Sequence, residues 1–439
     1  MDRRKFLSLM AFAGLGVAGT RAFGGDDDRD PLTGKRREPL FASYTGPFYV
    51  MVNAGGGWDP TSLCDPKGYA VDPMEPDAMN RSFATSAIEE AGNIRYAPLG
   101  TMDNPTAFKD FFQKHYQRLL VLNGVDTATN GHDSGARHCF CGRLAEGYPS
   151  FAALAAATAG NDLPMAYLSF GGYDETMGIV ARTRSGNTNA LGRIAYPDRQ
   201  DPNNEESTFH SAKAAELIKS AQDDRRAHLE ALENLPRVRN AISMLYAART
   251  GTNELKKLQE YLPNPLSNDG DQRQVQVAIA AYRAGISAAV NLNMGGFDTH
   301  GNHDASHIPR LAALLRQIDF LWSEAEAVGV ANNMVVLVAS DFGRTPRYND
   351  GNGKDHWSIT SMMLMGKGIP GNKVIGATDP GHRALNINPA TLALDEGGIR
   401  LEPRHVHKSL RRLAGIDDNE WGNRFPLTIP DDEDIRLFG

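Results

Sequence analysis

Apolar residues in this chain fall into short continuous runs and into longer stretches with helical spacing, and the two kinds alternate. Pro47 to Asn53, Leu119 to Asn123, Met165 to Phe170, Ala288 to Asn293, Asn333 to Ser340 and Ser361 to Met365 are β-rich and apolar at their centres, as strands buried on both faces are. Between them, Pro105 to Tyr116 repeats aromatics at helical spacing, Ser150 to Thr158 is Ala-rich, and Asp271 to Gly285 reads as a helix. Ile308 to Gly329 sets Leu311, Leu314, Leu315, Ile318 and Leu321 on one side, and Pro403 to Ala414 predicts a last helix. This alternation predicts an α/β fold with a mainly parallel central sheet flanked by helices.

The interruptions divide the chain. Residues 66–104 are rich in Pro, Asp, Asn and Gly and predict a surface loop. After a Gly-, Asn- and Arg-rich stretch over 171–204, residues 207–262 read as almost continuous helix rich in Ala, Leu, Lys and Glu. That segment is a helical insertion between two parts of the core, 45–206 and 263–415, with 416–439 as a C-terminal tail.

At the start, Asp2-Arg3-Arg4-Lys5-Phe6-Leu7 leads into a weakly apolar run ending near Gly19. A twin arginine before such a run predicts a twin-arginine export signal over 1–24, followed by a polar linker over 25–44. The run is shorter than the ~20 residues that span a bilayer, so no stable membrane insertion after cleavage is expected. The mature protein is then periplasmic or extracellular, with the translocase as its partner during export. Removing 1–24 deletes Arg3, Arg4, Lys5 and Arg21 against Asp2, taking the formal charge from −7 to −10. An acidic chain without basic blocks excludes nucleic acid as a partner class. Cys64, Cys139 and Cys141 are too few for a disulfide scaffold and lack zinc spacing, but Cys64 and the 139–141 pair sit in neighbouring predicted loops and suggest one disulfide.

Candidate chemistry gathers after the predicted strands. Asp59, Asp126, Asp298 and Asp341 each follow a strand end, the edge where open α/β sheets bind ligands. Asp298-Thr-His300-Gly-Asn-His303-Asp304 and Asp355-His356 add imidazoles. Carboxylates gathered at one edge repel one another unless cations sit among them, and histidines donate to the same ions. Oxygen and nitrogen ligands without thiolate favour a divalent metal, Zn²⁺ or Mn²⁺ first and Mg²⁺ next, as one or two ions. Arg344 reads equally as a clamp for an anionic oxygen or as a salt bridge to one of these aspartates. Ser134, between His132-Asp133 and Gly135, is the best-placed hydroxyl for a nucleophile, with water as the other choice. Asp341-Phe-Gly matches the kinase magnesium motif but has no His-Arg-Asp loop before it, so a kinase is excluded.

The twin-arginine start, Gly-Gly-Phe-Asp298-Thr-His300, Ser340-Asp341-Phe-Gly-Arg344-Thr and Asp355-His356, in that order, resemble the DUF1501 family of exported bacterial proteins over most of residues 45–415. That family is similar to the alkaline phosphatase and sulfatase superfamily. The resemblance implies an alkaline-phosphatase-like sheet with a two-metal site at the strand ends. It also implies an aspartate after the first strand, then a Ser or Thr nucleophile, then late Asp/His pairs. Carried onto this chain, these are Asp59, Ser134, then Asp298, His300, Asp341, Asp355 and His356. Two spacings depart from the phosphatase pattern. Asp298-Thr-His300 stands where Asp-x-x-x-His is usual, and Phe342 rather than His follows Asp341. The expected function is an exported metal-dependent hydrolase of phosphate or sulfate esters acting on an anionic small molecule or polymer. The alternative is a non-catalytic binding or assembly protein on the same fold.

Overall fold

In the computed structural model, strand β1 (Phe48–Ala54) is buried along its whole length, and its alternate side chains enter different cores. Phe48, Val50 and Val52 face one layer, Tyr49 and Met51 the other, because successive strand side chains point to opposite faces. The structure describes residues 43–438 except 76–77, 161–162, 185–194, 197, 202–203, 205, 237, 240, 243–244 and 246–254. The expected export signal over 1–24 and the linker up to 42 lie outside the described residues.

The other strands are β2 (Glu89–Ala91), β3 (Ile94–Tyr96), β4 (Leu119–Asp126), β5 (Tyr167–Ser169), β6 (Arg182–Thr183), β7 (Ala289–Met294), β8 (Met334–Ser340), β9 (Gly343–Arg344), β10 (His356–Trp357), β11 (Ile359–Gly366) and β12 (Lys373–Ile375). Eight of them form one sheet in the order β12-β4-β11-β8-β1-β7-β5-β6. All its pairings are parallel except those of β11, which runs antiparallel to both β4 and β8. The chain is therefore α/β with a mainly parallel sheet. Helices α1 (Ala107–His115), α2 (His132–Cys141), α3 (Phe151–Ala159), α4 (Ala212–Leu232), α5 (Leu255–Tyr261), α6 (Gly270–Arg283), α7 (His303–Ala327), α8 (Pro403–Leu413) and α9 (Glu420–Arg424) complete it. Apolar residues of α1, α6 and α7 share the core of Val50 and Val52, and those of α2, α3 and α8 share the core of Tyr49 and Met51.

The centre of the sheet positions the site. Ala54 pairs with Met294 on one side and with Ser340 on the other, so β1, β7 and β8 end level and release their loops side by side. Glycines in the loop after β1 let this backbone pack tightly. Gly56 has φ +122°, and a Cβ there would lie 2.5 Å from the amide of Asp298. The space beside Gly56 is taken by the backbone of Phe297 and Asp298.

Elsewhere the structure differs from the sequence reading for identifiable reasons. The polar stretch after β4 is not all loop but contains α2, whose buried side carries His138, Cys139, Phe140 and Cys141. Helix α7 starts at His303, earlier than the apolar spacing shows, because its first turn buries His303 and His307 instead of aliphatic residues. Residues 66–104 contain the small β2–β3 hairpin, which buries Ile94 and Tyr96. The 207–262 stretch leaves the helix at Glu233, which is extended. The suggested disulfide is absent: Cys64, Cys139 and Cys141 are free and buried. Among the described residues, no helix is long and apolar enough to cross a membrane.

Candidate functional site

At the ends of β4, β7 and β8, three imidazoles meet around Asp298. Each turns Nδ1 to an acceptor: His132 to Asp341 Oδ2, His300 to Asp355 Oδ1 and His356 to the carbonyl of Asn130, all at 2.8 Å. Those acceptors take the Nδ1–H, so in the neutral rings each Nε2 carries a lone pair. The Nε2 atoms point at a common region. His300 and His356 Nε2 are 3.0 Å apart. Asp298 Oδ1 lies 3.0 Å from the first and 3.2 Å from the second, and Asp298 Oδ2 lies 3.5 Å from His132 Nε2. His132, Asp298 and His356 each bring a ligand atom within 4.8 Å of the others. These residues form a group whose atoms could hold a metal ion, and carboxylates behind imidazoles are the kind of outer partner that orients metal-binding histidines.

Local packing holds the rings. Phe342 is fully buried beneath His132 and His356, at 4.9 and 4.3 Å between centroids. The site itself is open, the side chains of Asp298, His300 and Asp355 being 45%, 47% and 55% exposed. Burial pushes the Asp298 carboxyl up, but the hydrogen bond and charge of the Arg344 guanidinium prevail and hold it at about 2. Burial raises the Asp341 carboxyl despite its bonds from His132 and the Gly56 amide. The hydrogen bond to His300 lowers Asp355.

A second group is closed off from solvent. Asp59, fully buried, accepts from Lys354 Nζ at 2.5 Å, from the Thr61 amide at 2.9 Å and hydroxyl at 2.6 Å, and from His303 Nε2 at 3.2 Å. The Asp59 amide donates to His307 Nε2 at 2.8 Å, which puts the His307 proton on Nδ1, 3.0 Å from Thr299 Oγ1. That hydroxyl lies 2.7 Å from His303 Nδ1, leaving the His303 proton on Nε2 toward Asp59. Burial would raise the Asp59 carboxyl, but Lys354 and His303 hold it well below the usual range. Burial lowers both His303 and His307.

Of the residues singled out in the sequence, Asp298, His300 and His356 come together, with Asp341 and Asp355 behind the imidazoles. Asp59 is not in this group; its carboxylate faces Lys354. Asp126 lies apart, paired with Arg400 at 3.0 Å. Arg344 is fully buried and donates to the carbonyls of Gly56, Gly57 and Lys354 and to Asp298 at 2.7 Å. The salt bridge to one of the aspartates, one of its two readings, is present, to Asp298. Ser134 lies in the first turn of α2, its hydroxyl 2.7 Å from Thr129 Oγ1 and 3.1 Å from the Gly131 carbonyl. Sequence reasoning passed over His132 as a ligand, although it follows a strand end as the other candidates do. It also missed the His303/His307 pair, whose four-residue spacing was legible. Lys354, a single lysine in a Gly-rich loop, carried no signal of burial.

Several solved structures resemble the chain at low identity. Ps i-CgsB gives a TM-score of 0.39 at 8% identity over 90% of this chain and 76% of that one. The lipoteichoic acid synthase LtaP from Listeria monocytogenes gives 0.36 at 8% over 91% and 76%. The alkaline phosphatase from the Antarctic bacterium TAB5 gives 0.30 at 10% over 75% and 94%. No curated protein matches the chain. The family described as "Protein of unknown function (DUF1501)" matches residues 49–424, most of the sequence, and the chain belongs to it.

Proposed function

We propose that the protein is an exported, metal-dependent hydrolase of phosphate or sulfate esters. The observation that carries this reading is the meeting of His300 Nε2, His356 Nε2 and Asp298 Oδ1 within 3.0–3.2 Å, with each imidazole proton engaged on the far side. Bare acceptors so close repel, and a cation removes the repulsion. Tetrahedral bonds of about 2.0–2.1 Å from nitrogen to zinc place ligand nitrogens about 3.3 Å apart, near the observed spacing. His132, His300, His356 and Asp298 would hold the ion, with Zn²⁺ or Mn²⁺ favoured by the imidazole share.

Such an ion supplies Lewis acidity toward an ester oxygen and a nucleophile. The protein supplies the rest. Asp341 and Asp355 hold His132 and His300 in the required tautomer, and Phe342 fixes the ring planes. Helix α2 has no side-chain cap, so the free N–H groups of its first turn favour the anionic end of an ester. Ser134 in that turn is the hydroxyl nearest those amides in sequence, with water as the alternative nucleophile. Export rests on the twin arginine; Arg3 and Arg4 replaced by Lys should retain the protein in the cytoplasm.

One observation favours a second reading, a metal-binding protein without turnover: Arg344, the buried guanidinium of the site, has its donors engaged by the protein. Metal analysis with assays on aryl phosphates and aryl sulfates separates the two. The proposal expects bound Zn²⁺ or Mn²⁺ and turnover lost together in Asp298→Ala, and a marked loss of turnover with metal retained in Ser134→Ala if serine is the nucleophile. Metal without turnover of either ester class selects the second reading; no bound divalent metal after expression with both ions rejects both.

A further inference from the structure

We infer that this site takes one divalent cation, not two, and that the Lys354 ammonium occupies the seat a second cation would need. The inference rests on the metal-dependent reading above and specifies its stoichiometry. It also removes Asp59 from the ligands expected from the sequence.

The geometry of Asp59 carries it. Oδ1 accepts from the amide and the hydroxyl of Thr61, and Oδ2 accepts from Lys354 and His303. A carboxylate offers about four lone-pair sites, and these donors fill them. Entry of a divalent ion at Asp59 requires that the ammonium leave, and Lys354 is as fully buried as its partner. An unpaired buried ammonium is strongly disfavoured, so the two stay together.

The surroundings of Nζ are those of a small cation pocket already filled. Besides Asp59 at 2.5 Å, Nζ lies 3.1 Å from Asn80 Oδ1 and 3.4 Å from Thr61 Oγ1, and the Tyr348 ring centroid is 5.1 Å away. Oxygen acceptors converging on one point are the ligand type of hard divalent cations. The two histidines nearby have their tautomers set by the Asp59 amide and Thr299, which leaves His303 Nε2 a donor rather than a ligand.

Lys354 also ties the two groups together. Its carbonyl accepts from Arg344 Nη1 at 3.0 Å, and the next residues are Asp355 and His356. Lys354 thus connects the two groups through its backbone, while its side chain fills the pocket beside Asp59.

Bound metal is counted by mass spectrometry on the dialysed, full-length folded protein after loading with Mn²⁺ or Zn²⁺. The wild type should hold one equivalent. Lys354→Ala, which vacates the pocket and leaves Asp59 bare, should bind a second equivalent of Mn²⁺, a gain that a merely structural role for the lysine does not produce. The double variant Asp59→Asn with Lys354→Met, which replaces the ion pair with neutral groups, should keep one equivalent with affinity within about threefold of wild type, and it decides the matter if Lys354→Ala does not fold. Two equivalents in the wild type, one in folded Lys354→Ala, or none in the double variant overturns the inference while the metal reading stands. No metal in the wild type removes both.

Discussion

His300 and His356 present Nε2 to Nε2 at 3.0 Å, each with its Nδ1 already engaged. Two neutral imidazoles so placed repel, and the proposed cation would relieve that repulsion. Metal should therefore stabilise the fold, by about 4 kcal/mol at a free concentration a thousandfold above Kd. In His356→Ala, Zn²⁺ affinity should fall more than about 100-fold, and in Asp355→Asn, which touches only the far side of His300, by about 10–100-fold. Competition titration with a chromogenic chelator measures both. Equal affinity in wild type and His356→Ala would remove the imidazole pair from the site.

Arg344 joins the loop after β1 to the Lys354 carbonyl and to Asp298, with no exposed surface. Its replacement by Met leaves several buried carbonyls without donors and Asp298 without its guanidinium. Arg344→Met should cost about 3–5 kcal/mol of unfolding free energy in urea. A residue reserved for a substrate anion behaves otherwise: stability would hold and KM alone would rise.

The sheet was legible because strands buried on both faces are continuous apolar runs, and β1, β7 and β8 are such runs from end to end. That these three end level follows from register, which no single strand encodes, so the sequence could place Asp59, Asp298 and Asp341 at one edge but not say where each carboxylate points. Asp59 shows the gap: from the chain alone it is equivalent to Asp298, and a lysine about 300 residues away decides that it is an internal ion pair. His132 was hidden by a polar stretch whose helical character comes from packing of Cys139 and Phe140, not from periodicity.

Gly57 links the fold to the imidazoles around Asp298. Its φ is +86°, and a Cβ would lie 2.5 Å from Cε2 of Phe342, the ring beneath His132 and His356. A side chain there is strained in the backbone and pushes that ring. Gly57→Ala should destabilise by about 1–3 kcal/mol and weaken metal binding, whereas Gly329→Ala, also at positive φ but with open space around it, should cost stability alone. Unchanged metal affinity in Gly57→Ala would separate Phe342 from the geometry of the site.

Acid should destabilise the protein through buried histidines outside the group around Asp298. Burial lowers His407 to about 3 and His405 to about 4, and lowers His138 beside them. His407 donates from Nε2 to the Cys139 carbonyl at 2.9 Å, and its Nδ1 is buried without a partner, so the folded ring stays neutral. Its folded pKa lies below the unfolded value of 6.5. The unfolded chain therefore takes up the proton first, and stability present above pH 6.5 is lost as pH falls toward 3. Between pH 7.5 and pH 5 this one group should remove about 2 kcal/mol of unfolding free energy. His407→Phe keeps the ring volume against Phe151 and has no proton to gain, so its urea midpoint should fall less over that interval. If the two proteins lose stability in parallel, the acid sensitivity resides elsewhere.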